Sequence, residues 1–204
     1  MTQTDIIVLT SGRGSNFRAV HEAILTGRLK NCRIKALLTD RPNTGAQSYA
    51  EEQSIPVCII EYKSFLDRKE FDKKLLEKLI EFKPDLICTL GFMRILRRDL
   101  VRHFEGKIIN IHPSLLPSFP GMHAQKQALD YGVRVTGATV HFMDEGTDTG
   151  PVILQKAVAV PDGAGEEELS AVVLQEEHKL IVEAVDLFCR GSLRIEGRHV
   201  RIRI

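Results

Sequence analysis

Short apolar runs alternate with longer stretches of helical spacing through the first half of the chain. Asp5–Leu9, Ile34–Leu38, Val57–Ile60, Asp85–Leu90 and Lys107–Ile111 are dense in Ile, Val and Leu. Runs of that kind suit strands buried on both faces. Between them, Asn16–Leu25, Ala46–Gln53 and Asp67–Phe82 read as helices. In the third, Phe71, Leu75, Leu79 and Phe82 share one face, with Leu76 and Ile80 beside them, and Pro84 ends it. Strand–helix alternation predicts a parallel sheet with right-handed crossovers. The second half changes character. Val135–Met143 and Val152–Val160 read as longer strands around an acidic, glycine-bearing loop, and a long helix, Glu166–Cys189, follows. Leu193–Ile204 fits either a small hairpin about Gly197 or a loose tail. The expected fold is α/β: a Rossmann-like, mostly parallel twisted sheet of about seven strands with helices on both faces. No linker splits the 204 residues, so 1–204 is expected to be a single domain with 193–204 peripheral.

Charge and composition narrow the function classes. Lys and Arg number 28 against 27 Asp and Glu, a formal charge of +1, so no basic excess points to nucleic acid. No apolar run approaches the roughly 20 residues of a membrane span. No basic leader precedes the first strand, which argues against a secretory signal. Cys32, Cys58, Cys88 and Cys189 lie far apart without a C-x-x-C pair. That spacing argues against a zinc knuckle or redox pair and fits a reducing, cytoplasmic setting.

Ligands of open α/β sheets sit beyond the carboxyl ends of the strands, so the loops there carry the chemistry. After the first strand, Thr10-Ser11-Gly12-Arg13-Gly14-Ser15-Asn16 opens a helix. Two glycines allow a tight turn, Ser15 or Asn16 can cap the helix, and the exposed amides suit a phosphate. The loop is neither a P-loop nor a full dinucleotide fingerprint, since Phe17 replaces the third glycine. Asp40 could serve as a ribose-binding acid, although Thr39–Asn43 reads equally well as a helix-opening turn.

The fifth strand runs into His112-Pro113-Ser114-Leu115-Leu116-Pro117-Ser118-Phe119-Pro120-Gly121, a loop stiffened by three prolines. Asn110 and His112 are two apart and so face the same way. An amide and a protonated imidazole together can stabilise an oxyanion, and the imidazole can move a proton near neutral pH. In Asp144-Glu145-Gly146-Thr147-Asp148-Thr149-Gly150, one carboxylate could pair with His112 and raise its pKa. Spacing does not choose among Asp144, Glu145 and Asp148. The loop lacks EF-hand spacing. Ser114 and Ser118 lack a nucleophile elbow, and no metal-ligand spacing appears. His123 and His141 are further candidates, though a lone histidine is more often structural. Gly91–Leu96 could line a pocket for a flat apolar ligand. Glu176 and Glu177 fall in the apolar stripe of the late helix, where a charge asks for a reason.

Four segments in register resemble the phosphoribosylglycinamide formyltransferase family, folate-dependent enzymes of purine biosynthesis with the formyltransferase fold. They are Ser11–Asn16, Gly91–Leu96, Asn110–Pro117 and Asp148–Pro151. The resemblance runs from about Asp5 to Phe188. It implies 10-formyl-tetrahydrofolate as formyl-donor cosubstrate, glycinamide ribonucleotide as acceptor, and no metal. Its phosphate loop falls on Arg13, Gly14, Ser15 and Asn16. Its folate positions fall on Arg68, Met93, Arg94, Ile95, Leu96 and Asn110, with Asp144, Glu145, Gly146, Thr147 and Asp148 closing around the pterin. Its catalytic residues match Asn110, His112 and Asp148, which selects Asp148 over its neighbours. The acceptor stretch matches Leu174–Glu177, with Glu177 as the contact to the substrate amine or ribose. Residues 1–110 then form the phosphate and acceptor half, and 111–204 the folate and catalytic half. The expected partners are the two small molecules, with neither nucleic acid nor membrane, and the protein a monomer or homodimer. Methionyl-tRNA formyltransferase would add a basic C-terminal domain, and a formyl-tetrahydrofolate hydrolase an N-terminal regulatory one. Neither is expected here.

Overall fold

The computed structural model describes residues 3–203. They form two compact units, one ending at Ile109 and the other beginning at Asn110.

The first unit holds β1 (Thr4–Thr10), β2 (Cys32–Thr39), β3 (Val57–Ile59) and β4 (Leu86–Thr89) in the order β3-β2-β1-β4. Each neighbouring pair among them is parallel. β1 is central, and Ile6, Ile7, Val8 and Leu9 are fully buried, as an unbroken apolar run requires. The crossovers carry α1 (Ser15–Leu25), α2 (Gly45–Glu52) and α3 (Arg68–Phe82), and α4 (Arg98–His103) follows β4. Thr44 caps α2 by accepting from the Gln47 N–H, and Asp67 caps α3 by accepting from the Glu70 N–H at 2.9 Å. On α3, Phe71, Leu75 and Leu79 are buried, whereas Ile80 is exposed.

β5 (Ile108–His112) leads from the first unit into the second in sequence. The second unit then has α5 (Ala124–Tyr131), β6 (Val135–Phe142), β7 (Val152–Ala159), α6 (Glu166–Cys189), β8 (Leu193–Glu196) and β9 (His199–Ile202). β6 and β7 are antiparallel, with Val135 opposite Ala159. α6 lies against both, and its Leu169, Val173, Leu180 and Ala184 are buried. The α/β class with mostly parallel strands is as expected, but the strands number nine among the described residues rather than about seven. The extra two are the terminal hairpin. β8 and β9 pair across Gly197, which takes a positive φ of 60°, and β9 continues beside β7 at His199↔Val152. α4 and α5 were not expected, because each offers too few apolar positions to show a period. Leu100 and Val101 are all that α4 buries, and Ala124 and Ala128 all that α5 buries. Among the described residues, no helix is long and apolar enough to cross a membrane.

Candidate active site

In the first unit, the groups available to a ligand are mainly backbone. Gly14, left-handed at φ 73°, is the N-cap of α1, and no side chain caps that helix. Ser15 and Asn16, expected as caps, instead lie inside the first turn. The reason is Gly14: its positive φ turns the chain into the helix one residue earlier. A helix start of this kind, with its positive dipole end, suits an anion. A Cβ on Gly14 would lie 2.6 Å from the Ala46 Cβ, so the loop is seated tightly on the start of α2. The Ala46 N–H donates to the Gly12 carbonyl at 3.1 Å. Arg13 is exposed, Ser15 half-buried and Asn16 buried.

This loop is stitched to the segment after β4. Ser11 donates its N–H to the Gly91 carbonyl at 3.1 Å, and its hydroxyl accepts from the Met93 N–H at 2.9 Å. Met93 and Ile95 are exposed at 52% and 58%, while Leu96 is buried. Two arginines brace the segment. Arg94 Nε donates to Asp40 at 2.7 Å and its guanidinium lies 3.9 Å over the Tyr62 ring. Arg68 donates to the Ile95 carbonyl at 2.7 Å and pairs with Asp72 at 3.4 Å. Asp40 is thus a fully buried counter-ion for Arg94, with Arg41 at 3.5 Å, and not an open ribose acid.

In the second unit, polar side chains gather around one carboxylate. His112 Nδ1 lies 3.3 Å from Asp148 Oδ2. The Asn110 amide donates toward Asp148 Oδ1 at 3.5 Å and reaches His141 Nε2 at 3.2 Å. His141 Nε2 lies 3.7 Å from Asp148 Oδ1. The Gly121 N–H donates to Asp148 Oδ2 at 2.8 Å, and His112 Nε2 meets the Phe119 carbonyl at 2.9 Å. One carboxylate therefore gathers two residues of β5, one of β6 and a backbone amide of the proline-rich loop. Asp144 is occupied within its own loop, accepting from the Gly146 N–H at 3.0 Å and the Thr149 hydroxyl at 2.6 Å. Glu145, Gly146 and Thr147 are exposed.

The proline-rich loop is held from beneath by Thr139. Its hydroxyl donates to the Ser114 carbonyl at 2.7 Å and accepts from the Leu116 N–H at 3.1 Å and from Gln155 at 3.0 Å. The Ser114 hydroxyl donates to the Ser118 carbonyl at 2.5 Å, so it is a turn-former and not a nucleophile. On α6, Glu177 is buried, whereas Glu176 pairs with Lys179 at 2.6 Å.

Protonation follows from these contacts. Burial of His112 lowers its pKa below 6.5, aided by the neighbouring His141; the Phe119 carbonyl and Asp148 pull it up without overcoming burial. The expectation that a carboxylate partner would raise this pKa is therefore corrected: the residue is only 5% exposed, and desolvation outweighs the pairing. Asp148 is also desolvated. The neighbouring His141, the hydrogen bond from the Gly121 N–H and the charge of His112 more than offset that cost and hold its pKa below 3.8.

His141, one of two further histidine candidates, is 1% exposed and belongs to this cluster. Strand parity carried the signal, since Thr139 and His141 are two apart on β6 and so face one way. The backbone contributions of Phe119 and Gly121 had no side-chain signature to read.

Known proteins resemble this chain along most of its length. The formyl transferase family model matches residues 4–185, and the chain belongs to that family. It is 35% identical over 191 residues to the phosphoribosylglycinamide formyltransferase of Escherichia coli (strain K12), covering 94% of this chain and 90% of that one. It is 42% identical to the trifunctional purine biosynthetic protein adenosine-3 of Bos taurus over 97% of this chain, but spans only 19% of that protein's length. The structure of glycinamide ribonucleotide transformylase 1 from Symbiobacterium toebii superposes with a TM-score of 0.95 at 41% identity, covering 99% of this chain and 95% of that one.

Proposed function

We propose that this chain transfers a formyl group from 10-formyl-tetrahydrofolate to the amine of glycinamide ribonucleotide, giving formylglycinamide ribonucleotide and tetrahydrofolate. The observation that carries the reading is the Asp148 carboxylate with Asn110 and His112 on its two oxygens. Acyl transfer needs groups at two places, on the oxyanion and on the migrating proton, and this cluster supplies both.

Each unit has its own share. The first supplies Arg13, Gly14, Ser15 and Asn16 for the acceptor phosphate. Backbone groups of Met93, Arg94, Ile95 and Leu96, braced by Arg68, serve the donor. The second supplies Asn110, His112 and Asp148 for the chemistry, the 144–148 loop for the pterin, and Glu177 for the acceptor.

In the step itself, the free amine attacks the formyl carbon. A new C–N bond forms, the carbonyl oxygen becomes an oxyanion, and collapse breaks the bond to the folate nitrogen. One proton leaves the attacking amine and one arrives on that nitrogen. Asn110 donates to the oxyanion. His112, neutral at rest, takes the proton from the attacking amine and passes it to the departing folate nitrogen, and the transient imidazolium is stabilised by ionised Asp148 and by the Phe119 carbonyl. Phosphate binding remote from the reacting amine supplies positioning. The test is turnover of His112→Ala with both substrates present. Near-complete loss in a folded protein is expected, and full turnover would refute the mechanism.

A further inference from the structure

The segment Leu193–Ile204 was expected to be peripheral, and the 4–185 family match stops short of it. Its hairpin nonetheless reaches the loop that carries Asp148. β9 pairs with β7 at His199↔Val152, which places the β8–β9 turn beside the end of the acidic loop. There, Arg198 Nη1 donates to the Thr149 carbonyl at 2.9 Å. Thr149 directly follows Asp148, which is itself left-handed at φ 54°. Aspartate tolerates that conformation better than most residues, but the direction of its carboxylate then depends on how the neighbouring peptides are held. Two other restraints act on the same residues. The Thr149 hydroxyl is tied to Asp144 at 2.6 Å, and a Cβ on Gly150 would lie 1.8 Å from the Phe142 carbonyl oxygen, which fixes the path out of the loop.

We propose that Arg198 is a positioning residue for formyl transfer: by anchoring the Thr149 carbonyl it holds Asp148 against His112. The inference rests on the function proposed above. Arg198 acts through one peptide group, that of Thr149. The guanidinium gives a charge-assisted hydrogen bond to a carbonyl, stronger than a neutral donor would give. Losing it frees the Thr149 peptide to rotate, and with it the Asp148 carboxylate.

The test compares Arg198→Ala and Arg198→Lys with the wild type by two readouts. The first is the titration of His112, followed by 15N NMR of the imidazole nitrogens in the ligand-free protein. His112 is faced by Asp148, His141, Asn110 and the Phe119 carbonyl, and Asp148 is the group the substitution would move. Arg198→Ala is expected to lower the His112 midpoint, because the carboxylate is no longer held beside it. Arg198→Lys, which keeps a charged donor, is expected to restore most of the difference. The second readout is steady-state turnover. A fall in kcat of about three- to tenfold is expected for Arg198→Ala, with the KM for glycinamide ribonucleotide unchanged. An unchanged His112 midpoint in Arg198→Ala would overturn the proposal, as would a lysine variant as impaired as the alanine one. Should Arg198→Ala fail to fold, Arg198→Gln gives the same comparison. If the wild type transfers no formyl group, the NMR readout still decides the positioning role while the proposed function fails separately.

Discussion

The two compact units prepare for ligands by different means. In the first, strands pair in parallel, and the groups proposed to meet ligands are amides of a glycine loop and of the segment after β4. Two of its arginines are consumed in bracing: Arg94 on Asp40 and Tyr62, Arg68 on the Ile95 carbonyl. In the second, antiparallel β6 and β7 flank an acidic loop, and side chains from separate elements converge on the carboxylate of Asp148. Backbone sites tolerate changes of side chain but not of backbone freedom, and side-chain sites show the reverse. The two units should therefore fail differently under mutation.

The largest effects belong to the second unit. His112→Ala and Asp148→Asn are expected to lower kcat by about 10²- to 10⁴-fold, the usual span for a lost acid–base group. The change in thermal midpoint should be small, and steady-state kinetics with calorimetry separates the two. Retained turnover in either variant would remove the side-chain half of the contrast.

Next comes Gly14→Ala in the first unit. The added methyl would enter a left-handed position and meet the Ala46 Cβ at 2.6 Å, so either the loop or α2 must shift. The expected outcome is a KM for glycinamide ribonucleotide raised about tenfold or more, with kcat at saturation little changed, and a stability loss of about 1–3 kcal/mol. Arg13→Ala, which removes only an exposed side chain, should leave KM within about twofold if the amides carry the phosphate.

Protonation sharpens the contrast further. With its folded pKa below 6.5, His112 binds protons more readily in the unfolded chain. Its contribution to stability is therefore intact above pH 6.5 and is lost as pH falls below that value toward the folded pKa. Asp148, also depressed in the folded state, contributes above 3.8 and loses that contribution as pH falls through its folded value. Both weaken the fold toward acid. Urea denaturation between pH 7 and 5 should show the histidine's part, and His112→Gln should flatten it.

The smallest expected effect lies at the amino-terminal edge of β1. Arg33 and Lys35 hold Asp5 at a pKa of about 2. The stabilisation is present above 3.8 and is lost as pH falls toward 2. Both partners are substantially exposed, so Asp5→Asn should cost only about 1 kcal/mol near neutral pH.

Much of this was legible in the chain itself. Unbroken runs such as Ile6–Leu9 mark buried parallel strands, and the spacing of Phe71, Leu75 and Leu79 marks α3. Asn110 and His112 face one way because strand parity is a local property. What was not legible has local reasons too. α4 and α5 bury two residues apiece, too few to show a period. The Phe119 carbonyl and Gly121 amide act through backbone, which leaves no signature in residue type. The lowered pKa of His112 depends on how deeply β5 is covered, and a residue's neighbours in sequence do not report that. Arg198 lies 50 residues from Asp148 in sequence and is brought to the loop only by the β7–β9 pairing.

The central claim is formyl transfer to a phosphorylated amine, and the most direct measurement is an absorbance assay of 10-formyl-folate deformylation with and without glycinamide ribonucleotide. Turnover that requires the ribonucleotide is the predicted result. Release of the deformylated folate at the same rate without any acceptor would contradict it and make the chain a hydrolase.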